Sequence, residues 1–503
     1  MNRIKLKLGN FIYDTEIVKG SEIKSFLGIP YAESERFGMP RLINDYAQDP
    51  VNTGRGMRFP QSNVPVLLNF FMKNPMMRPE ILTDTDVTSD NAFHLNIWTQ
   101  STEGKRPVLV FIHGGGLTYG SGTPPLYNGK YLAAKGIVAV TINYRLGAPG
   151  FIPVKIDGAL SVNRGFYDQQ CAIRWVRENI ALFGGDENNI TLMGQSAGGL
   201  SASTHMMSEE SCKYFDKLIV MSAGNNRSLT MEQADKIADN FLKNNNIKNW
   251  GSFYKMPWKK LIRLKMPLML LTSPYIDGLL LKKSAYEILA NAEFAYKPVM
   301  LGTTGDEMEM INNKSWYKGL GIVTKEEVFN RKCKDFYGEI GSRMAAEFKK
   351  EGFSITGIQF KMHELPFHST VLKELKEYSK KNPVYGYRMN FVPNVWGGLR
   401  GAYHCAELPF VFGTIEDTDY KPSGENLRQT EILQKDWVEF IKTGEISGRE
   451  KFSENGRIIL YEGARAEMIG FPMRELLEEA QKTDLLDRIQ SAFMKGRDDN
   501  FIA

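Results

Sequence analysis

An α/β fold, built on a mostly parallel central sheet flanked by helices on both faces, is what this 503-residue sequence predicts. Three observations carry that expectation. "RPVLVFIHGGG" and "GIVAVTINYRLG" are continuous apolar, β-branched runs ending in glycine, as strands covered on both faces are. "FYDQQCAIRWVRENIALFGGD" has a helical period instead: Ala172, Trp175, Val176 and Ile180 share one face, and Gly184-Gly185 stops it. "NITLMGQS" then reads as a short strand, with "AGGLSASTHMM" as the helix that follows it directly. Strands and helices in such alternation form a parallel sheet with helical layers.

The remaining elements fit that frame. Ile4, Leu6 and Leu8 alternate with lysines, a period of two, and "GN" turns the strand back into "FIYDTEIV", an N-terminal β-hairpin. "FDKLIVMSAG", "KPVMLGTTG" and "VYGYRMNFV" are further strands. Between them lie helical stretches, about 226–292 and about 312–383. Strand signals resume after each, so both are expected to be insertions in one domain spanning 1–503. Near the end, Leu433, Trp437, Phe440 and Ile441 form one stripe of a packing helix. No internal repeat or low-complexity linker interrupts the chain.

Composition excludes several classes of function. The chain is 42% hydrophobic and 24% charged, and 63 basic residues against 58 acidic give a net charge of only +5. With no dense Lys/Arg run, neither nucleic acid nor an anionic membrane is an expected partner. No apolar run approaches the length of a membrane span, and no long apolar stretch follows the opening basic residues, so neither a span nor a signal peptide is expected. Cys171, Cys212, Cys333 and Cys405 are scattered without a Cys-x-x-Cys pair. A cytoplasmic protein with no metal and no disulfide framework is the expectation.

The sharpest chemical signal is Gly194-Gln195-Ser196-Ala197-Gly198, a Gly-x-Ser-x-Gly pentapeptide between a strand and a helix. That context makes it a nucleophile elbow, a turn too tight for side-chain bulk at its flanks. A serine needs a base to attack and donors for the oxyanion its attack creates. "FIHGGGLTYG" offers the donors, since Gly114, Gly115 and Gly116 leave backbone N–H groups open to a carbonyl oxygen. The acid of a triad in the order serine, acid, histidine must follow Ser196 on a loop after a strand. "GTTGDEMEM" supplies Asp306, Glu307 and Glu309, and chemistry alone does not choose among them. His94 and His113 precede the serine. His205 lies nine residues beyond it on the elbow helix, about 13 Å along the axis. His363 and His368 fall in a helical insertion, whereas His404 lies on a late loop after a strand.

The segments "FLGIPYAESERF" (26–37), "HLNIW" (94–98), "FIHGGG" (111–116), "INYRLGAPGF" (142–151), "GFYDQQCAIRWVRENIALFGGD" (165–186), "GQSAGG" (194–199) and "DWVEFIKTGE" (436–445) together resemble the type-B carboxylesterases. These are the α/β-hydrolase family of the para-nitrobenzyl esterases and cholinesterases. Several of the segments carry no chemistry, and only a shared fold accounts for them together. The resemblance implies the α/β-hydrolase fold with helical lid or cap insertions. It implies Glu307 as the acid, because the family has a glutamate preceded by aspartate, with Asp306 as the fallback and Glu309 as a solvated or lid-facing charge. The family's usual glycine after the glutamate is Met308 here. The family pattern H-x-x-E-x-x-F-V-F-G reads as His404, Glu407, Phe410, Val411, Phe412 and Gly413, which implies His404 as the base and gives Glu407 a register role only. Ser222 resembles a second serine that supports the triad. Arg145 with Asp168, and Arg36 with Asp90, resemble the family's fold-holding ion pairs.

The expected protein is therefore a serine carboxylesterase acting on a small-molecule ester through an acyl-enzyme, with the N–H groups of Gly115, Gly116 and Ala197 as the oxyanion hole and no cofactor. An amidase or thioesterase would use the same triad. A non-catalytic binding protein of this fold is a rival reading that an intact Ser/Glu/His set argues against. The segment 265–278 resembles one that shapes the acyl pocket in relatives. No tryptophan precedes Trp98, so a cholinesterase-type choline site is not expected. Cys405 reads as a small apolar residue packed behind the histidine.

Overall fold

The computed structural model describes residues 3–494 except 9–10, 18–20, 44–56, 62–87, 225–226, 267–272, 313, 315–316, 393–400 and 417–422. Part of the segment expected to shape an acyl pocket, and part of the connection before His404, therefore lie outside the described residues.

Among the described residues twelve strands form one sheet. In chain order they are β1 (Arg3–Leu8), β2 (Phe11–Ile17), β3 (Lys24–Pro30), β4 (His94–Thr99), β5 (Arg106–Ile112), β6 (Val138–Ile142), β7 (Gly185–Gln195), β8 (Lys217–Met221), β9 (Val299–Thr304), β10 (Val384–Met389), β11 (Arg457–Glu462) and β12 (Arg465–Gly470). Their order across the sheet is β1-β2-β3-β4-β6-β5-β7-β8-β9-β10-β11-β12. From β6 to β11 every pairing is parallel, and antiparallel ribbons close both ends.

The apolar runs become central strands because both faces have cover. On β5, Val108, Val110 and Ile112 join one buried cluster, while Leu109 and Phe111 join the other. The helix α1 (Arg164–Asn179) brings Trp175 and Val176 to the first cluster. The elbow helix α2 (Ala197–Met207) follows β7. Helices α3 (Met231–Asn244) and α4 (Ala285–Ala290) lie between β8 and β9. Between β9 and β10 come α5 (Gly338–Lys350) and the 25-residue α6 (Ile355–Ser379). The short α7 (Leu408–Phe412) and α8 (Gly424–Thr443) come next, and α8 covers the second cluster with Leu433, Trp437, Phe440 and Ile441. The last helix, α9 (Leu485–Met494), packs back along α6.

One strand boundary differs from the sequence reading, and the two ion pairs it named are formed. β7 starts at Gly185 rather than near Asn189, because Gly184 turns at φ 74° and sets Gly185 beside Arg106, with a bulge before Ile190. Arg145 and Asp168, both 1% exposed or less, make a two-pronged ion pair of 2.6 and 2.8 Å, and Arg145 also donates to the Gly38 carbonyl at 2.6 Å. This buried arginine ties β6's exit, α1 and the loop after β3 to one another. Arg36 and Asp90 pair at 2.5 Å. Among the described residues no helix is long and apolar enough to cross a membrane.

Candidate active site

Ser196 stands where β7 gives way to α2, at φ 56° and ψ −126°. A non-glycine residue held there costs about 1–3 kcal/mol, which the surroundings must offset. They do so by close packing. A Cβ on Gly194 would fall 2.0 Å from the Gly198 carbonyl oxygen, and one on Gly198 would fall 2.0 Å from that of Ile112. Both glycines are therefore required by the turn itself. Ala197 opens α2, where first-turn N–H groups have no intrahelical partner and the helix dipole favours negative charge.

The loop after β5 passes directly over this turn. A Cβ on Gly114 would lie 3.1 Å from the Cβ of Ser196. Gly115 turns at φ 107°, where a side chain would meet the Tyr119 carbonyl at 2.0 Å, and Gly116 at φ 59°. His113 shapes this loop from beneath. Its ring stacks on Tyr144 at 4.5 Å, its Nδ1 lies 2.8 Å from the Gly114 oxygen, and burial pushes its pKa down to about 4.

Glu307 and His404 meet from the loops beyond β9 and β10. His404 Nδ1 is 2.5 Å from Glu307 Oε2, and Glu307 Oε1 accepts from the Thr304 N–H at 2.9 Å. Burial would raise the Glu307 carboxyl, but the imidazole's charge and hydrogen bonds from His404 and Ser222 outweigh it, so Glu307 titrates below its ordinary range. Burial would lower His404, and the Glu307 charge and hydrogen bond outweigh that too, so His404 titrates above its ordinary value. With Nδ1–H turned to the carboxylate, Nε2 is the lone-pair nitrogen, and it accepts from the Gln195 amide at 3.3 Å. Gln195 adjoins Ser196, so the lone pair faces the elbow. Phe367 of α6 flanks the imidazole at 5.5 Å.

The other carboxylates divide by partner. Asp306 accepts from Lys361 Nζ at 2.6 Å and from the Ala402 N–H at 2.8 Å, while its own N–H donates to the Ala402 carbonyl at 2.9 Å. It clips the acid loop to the histidine loop and does not face the imidazole. Glu309, expected to be a solvated or lid-facing charge, is half-buried, bonded to Asn312 at 3.0 Å, and pushed up by burial. Two of the remaining histidines are occupied elsewhere. His205 is buried between Gln169 and Ser211, and His368 bonds the Thr303 hydroxyl at 3.0 Å. Cys405 packs against the second core cluster at φ 66°, and burial pushes its thiol well up.

Glu407 is the residue whose surroundings the sequence reading missed. Its role as a register marker gave no hint that it would be wholly buried beneath the His404–Glu307 pair. The Ser222 hydroxyl reaches it at 3.4 Å, and among the described residues its Oε2 has no partner. Burial, reinforced by the Glu307 charge, pushes it up to about 8, so it carries a proton at neutral pH. The native state thus holds a proton that the unfolded chain releases above about 4.3. The stabilisation is complete below that pH and is lost as pH rises through 8. Measured against Glu407→Gln, the parent protein should lose stability by up to about 1.4 kcal/mol per pH unit across this window. Parallel melting-temperature curves for the two proteins between pH 6 and pH 9 would contradict this.

Gly116, Ser196 and Ala197 line one cavity of about 720 Å³, which continues past Met308 and Phe367 along α6. Residues 4–457 match the model of the carboxylesterase family. The chain is 29% identical over 453 residues to the para-nitrobenzyl esterase of Bacillus subtilis (strain 168), covering 85% of this chain and 88% of that protein. It is 28% identical over 375 residues to the phenmedipham hydrolase of Pseudarthrobacter oxydans, covering 71% and 74%. Among solved structures it is similar to a PNB esterase, with TM-score 0.75, 26% identity, and coverage of 94% of this chain and 99% of that one.

Proposed function

Because the chain belongs to the carboxylesterase family and is a carboxylic-ester hydrolase, we propose that it works through a Ser196–Glu307–His404 triad and a covalent acyl-enzyme. His404 Nε2 takes the Ser196 proton as Oγ attacks the ester carbonyl, the hydroxyl displacing the long Gln195 contact at that nitrogen. The N–H groups of Gly115, Gly116 and Ala197 hold the oxyanion, with Ser222 supporting the acid from below. The imidazolium returns its proton to the departing alcohol, leaving the acyl group on Oγ. Water then attacks the acyl carbon with His404 again as base, releasing the carboxylic acid and restoring the serine. Glu307 remains ionised throughout and fixes the Nδ1–H tautomer. Because His404 titrates above its ordinary value, rates fall as acid protonates Nε2.

The observation that carries this reading is the 2.5 Å contact of His404 Nδ1 with Glu307 Oε2, made beside an elbow that holds Ser196 at positive φ. Four free cysteines support a reducing, cytoplasmic working compartment. A fluorophosphonate probe tests the assignment. One adduct on the peptide containing Ser196 is expected, and absence of label, or label elsewhere, would sink it.

A further inference from the structure

We propose that the substrate carries an anionic group, a carboxylate, remote from the scissile ester, and that Lys373 is the residue that receives it. The proposal rests on the catalytic reading above and adds the substrate class.

One stripe of α6 walls the cavity that opens at Ser196. His363, Pro366, Phe367, Thr370 and Lys373 all line it, and apart from the adjacent Pro366 and Phe367 they recur three or four residues apart, the spacing of a single helix face. Phe367 lies against His404, which fixes the catalytic end of the stripe. Lys373 lies six residues further on, about 9 Å along the axis, a distance that a medium-length carbon chain spans. The lining is mixed: Leu200, Met308 and Phe367 give apolar wall, and Ser369, Thr370 and Gln481 give polar groups.

The charges around Lys373 sort themselves. Asp487 faces the cavity but is ion-paired with Arg227. Glu374, next to Lys373 in sequence, points into the protein and takes the Ser203 hydroxyl at 2.6 Å. Glu377 pairs with Lys380. Lys373 itself is half-buried, and its ammonium lies 4.1 Å from the centroid of the Tyr286 ring. Among the described residues no carboxylate stands within ion-pair distance of it. Burial lowers its pKa, with the more distant Glu377 and Glu374 only partly compensating. The ring orients the ammonium without neutralising it, and its remaining N–H donors are open to an incoming anion.

Matched substrates test this. Mono-para-nitrophenyl suberate is compared with para-nitrophenyl octanoate, and omega-acetoxyoctanoate with octyl acetate, so the carboxylate is offered on either the acyl or the alcohol side. In at least one pair the acid should exceed its neutral partner in kcat/KM by about tenfold or more. Lys373→Gln should remove that advantage while leaving the neutral ester within about threefold, and Lys373→Arg should keep most of it. The loss should fall mainly on KM and diminish with added salt. No advantage in either pair, or an equal loss on both members with Lys373→Gln, would overturn the proposal. Neutral-ester turnover reports on folding in every variant. If Ser196→Ala still hydrolyses the neutral esters, the triad reading fails. If that variant is inactive and the acid esters gain nothing, only the Lys373 proposal falls.

Discussion

Ser196→Ala is expected to reduce kcat for para-nitrophenyl acetate and butyrate by about 10⁴-fold or more. Alanine leaves no nucleophile, so the acyl-enzyme route closes. What remains is the acceleration that oxyanion donors and binding give to attack by water. The change should barely alter stability. Alanine suffers much the same strain at φ 56° as serine does, and the turn around it is fixed by Gly194 and Gly198. Loss of turnover should therefore come with an unchanged melting temperature. Activity within tenfold of the parent would refute Ser196 as the nucleophile.

Glu307→Gln is expected to cost about 10³- to 10⁴-fold in kcat/KM, although the substitution removes no reacting atom. An amide at 2.5 Å from His404 Nδ1 no longer demands a proton on that nitrogen. The imidazole then shifts to the tautomer with its hydrogen on Nε2, which cannot accept the Ser196 proton. The pH profile should change as well. The Glu307 charge is the main influence raising His404 against burial, so its removal should move the acidic limb of the residual activity to lower pH. A pH–rate profile of both proteins checks this. An acidic limb that stays in place would show that Glu307 does not set the histidine's titration.

Much of the fold was legible because its signals are local. Strands such as β5 and β6 are covered on both faces and read as unbroken apolar runs. The stripe of α8 kept its helical period. The elbow and the triple-glycine loop were legible because close approach of backbones permits almost no other residue there. Less legible were the ends of the sheet. β12 alternates exposed and half-covered residues at an edge, Arg465–Gly470, and has no apolar run to announce it. In the candidate site, position in the chain distinguished His404 from five other histidines. The three neighbouring acids could not be separated by chemistry, and only tertiary contacts give them different environments: Asp306 in the clip to Ala402, Glu307 against the imidazole, Glu309 on Asn312. Glu407 and Lys373 were not legible at all. The burial of one and the cavity-facing position of the other arise from packing between segments far apart in sequence.

The clip between Asp306 and Ala402 has a consequence for biosynthesis. Ser196 leaves the ribosome 208 residues (404 minus 196) ahead of His404, a delay of about 10–40 s at ordinary elongation rates. On the proposed triad, the nascent chain holds a hydroxyl but no base throughout that interval. His404 meets Glu307 only when the segment after β10 docks on the loop after β9. On the same proposal, the growing polypeptide should be insensitive to acylating and phosphonylating poisons until this docking has taken place. In a refolding experiment the return of turnover should follow this late docking, after most of the sheet has already formed.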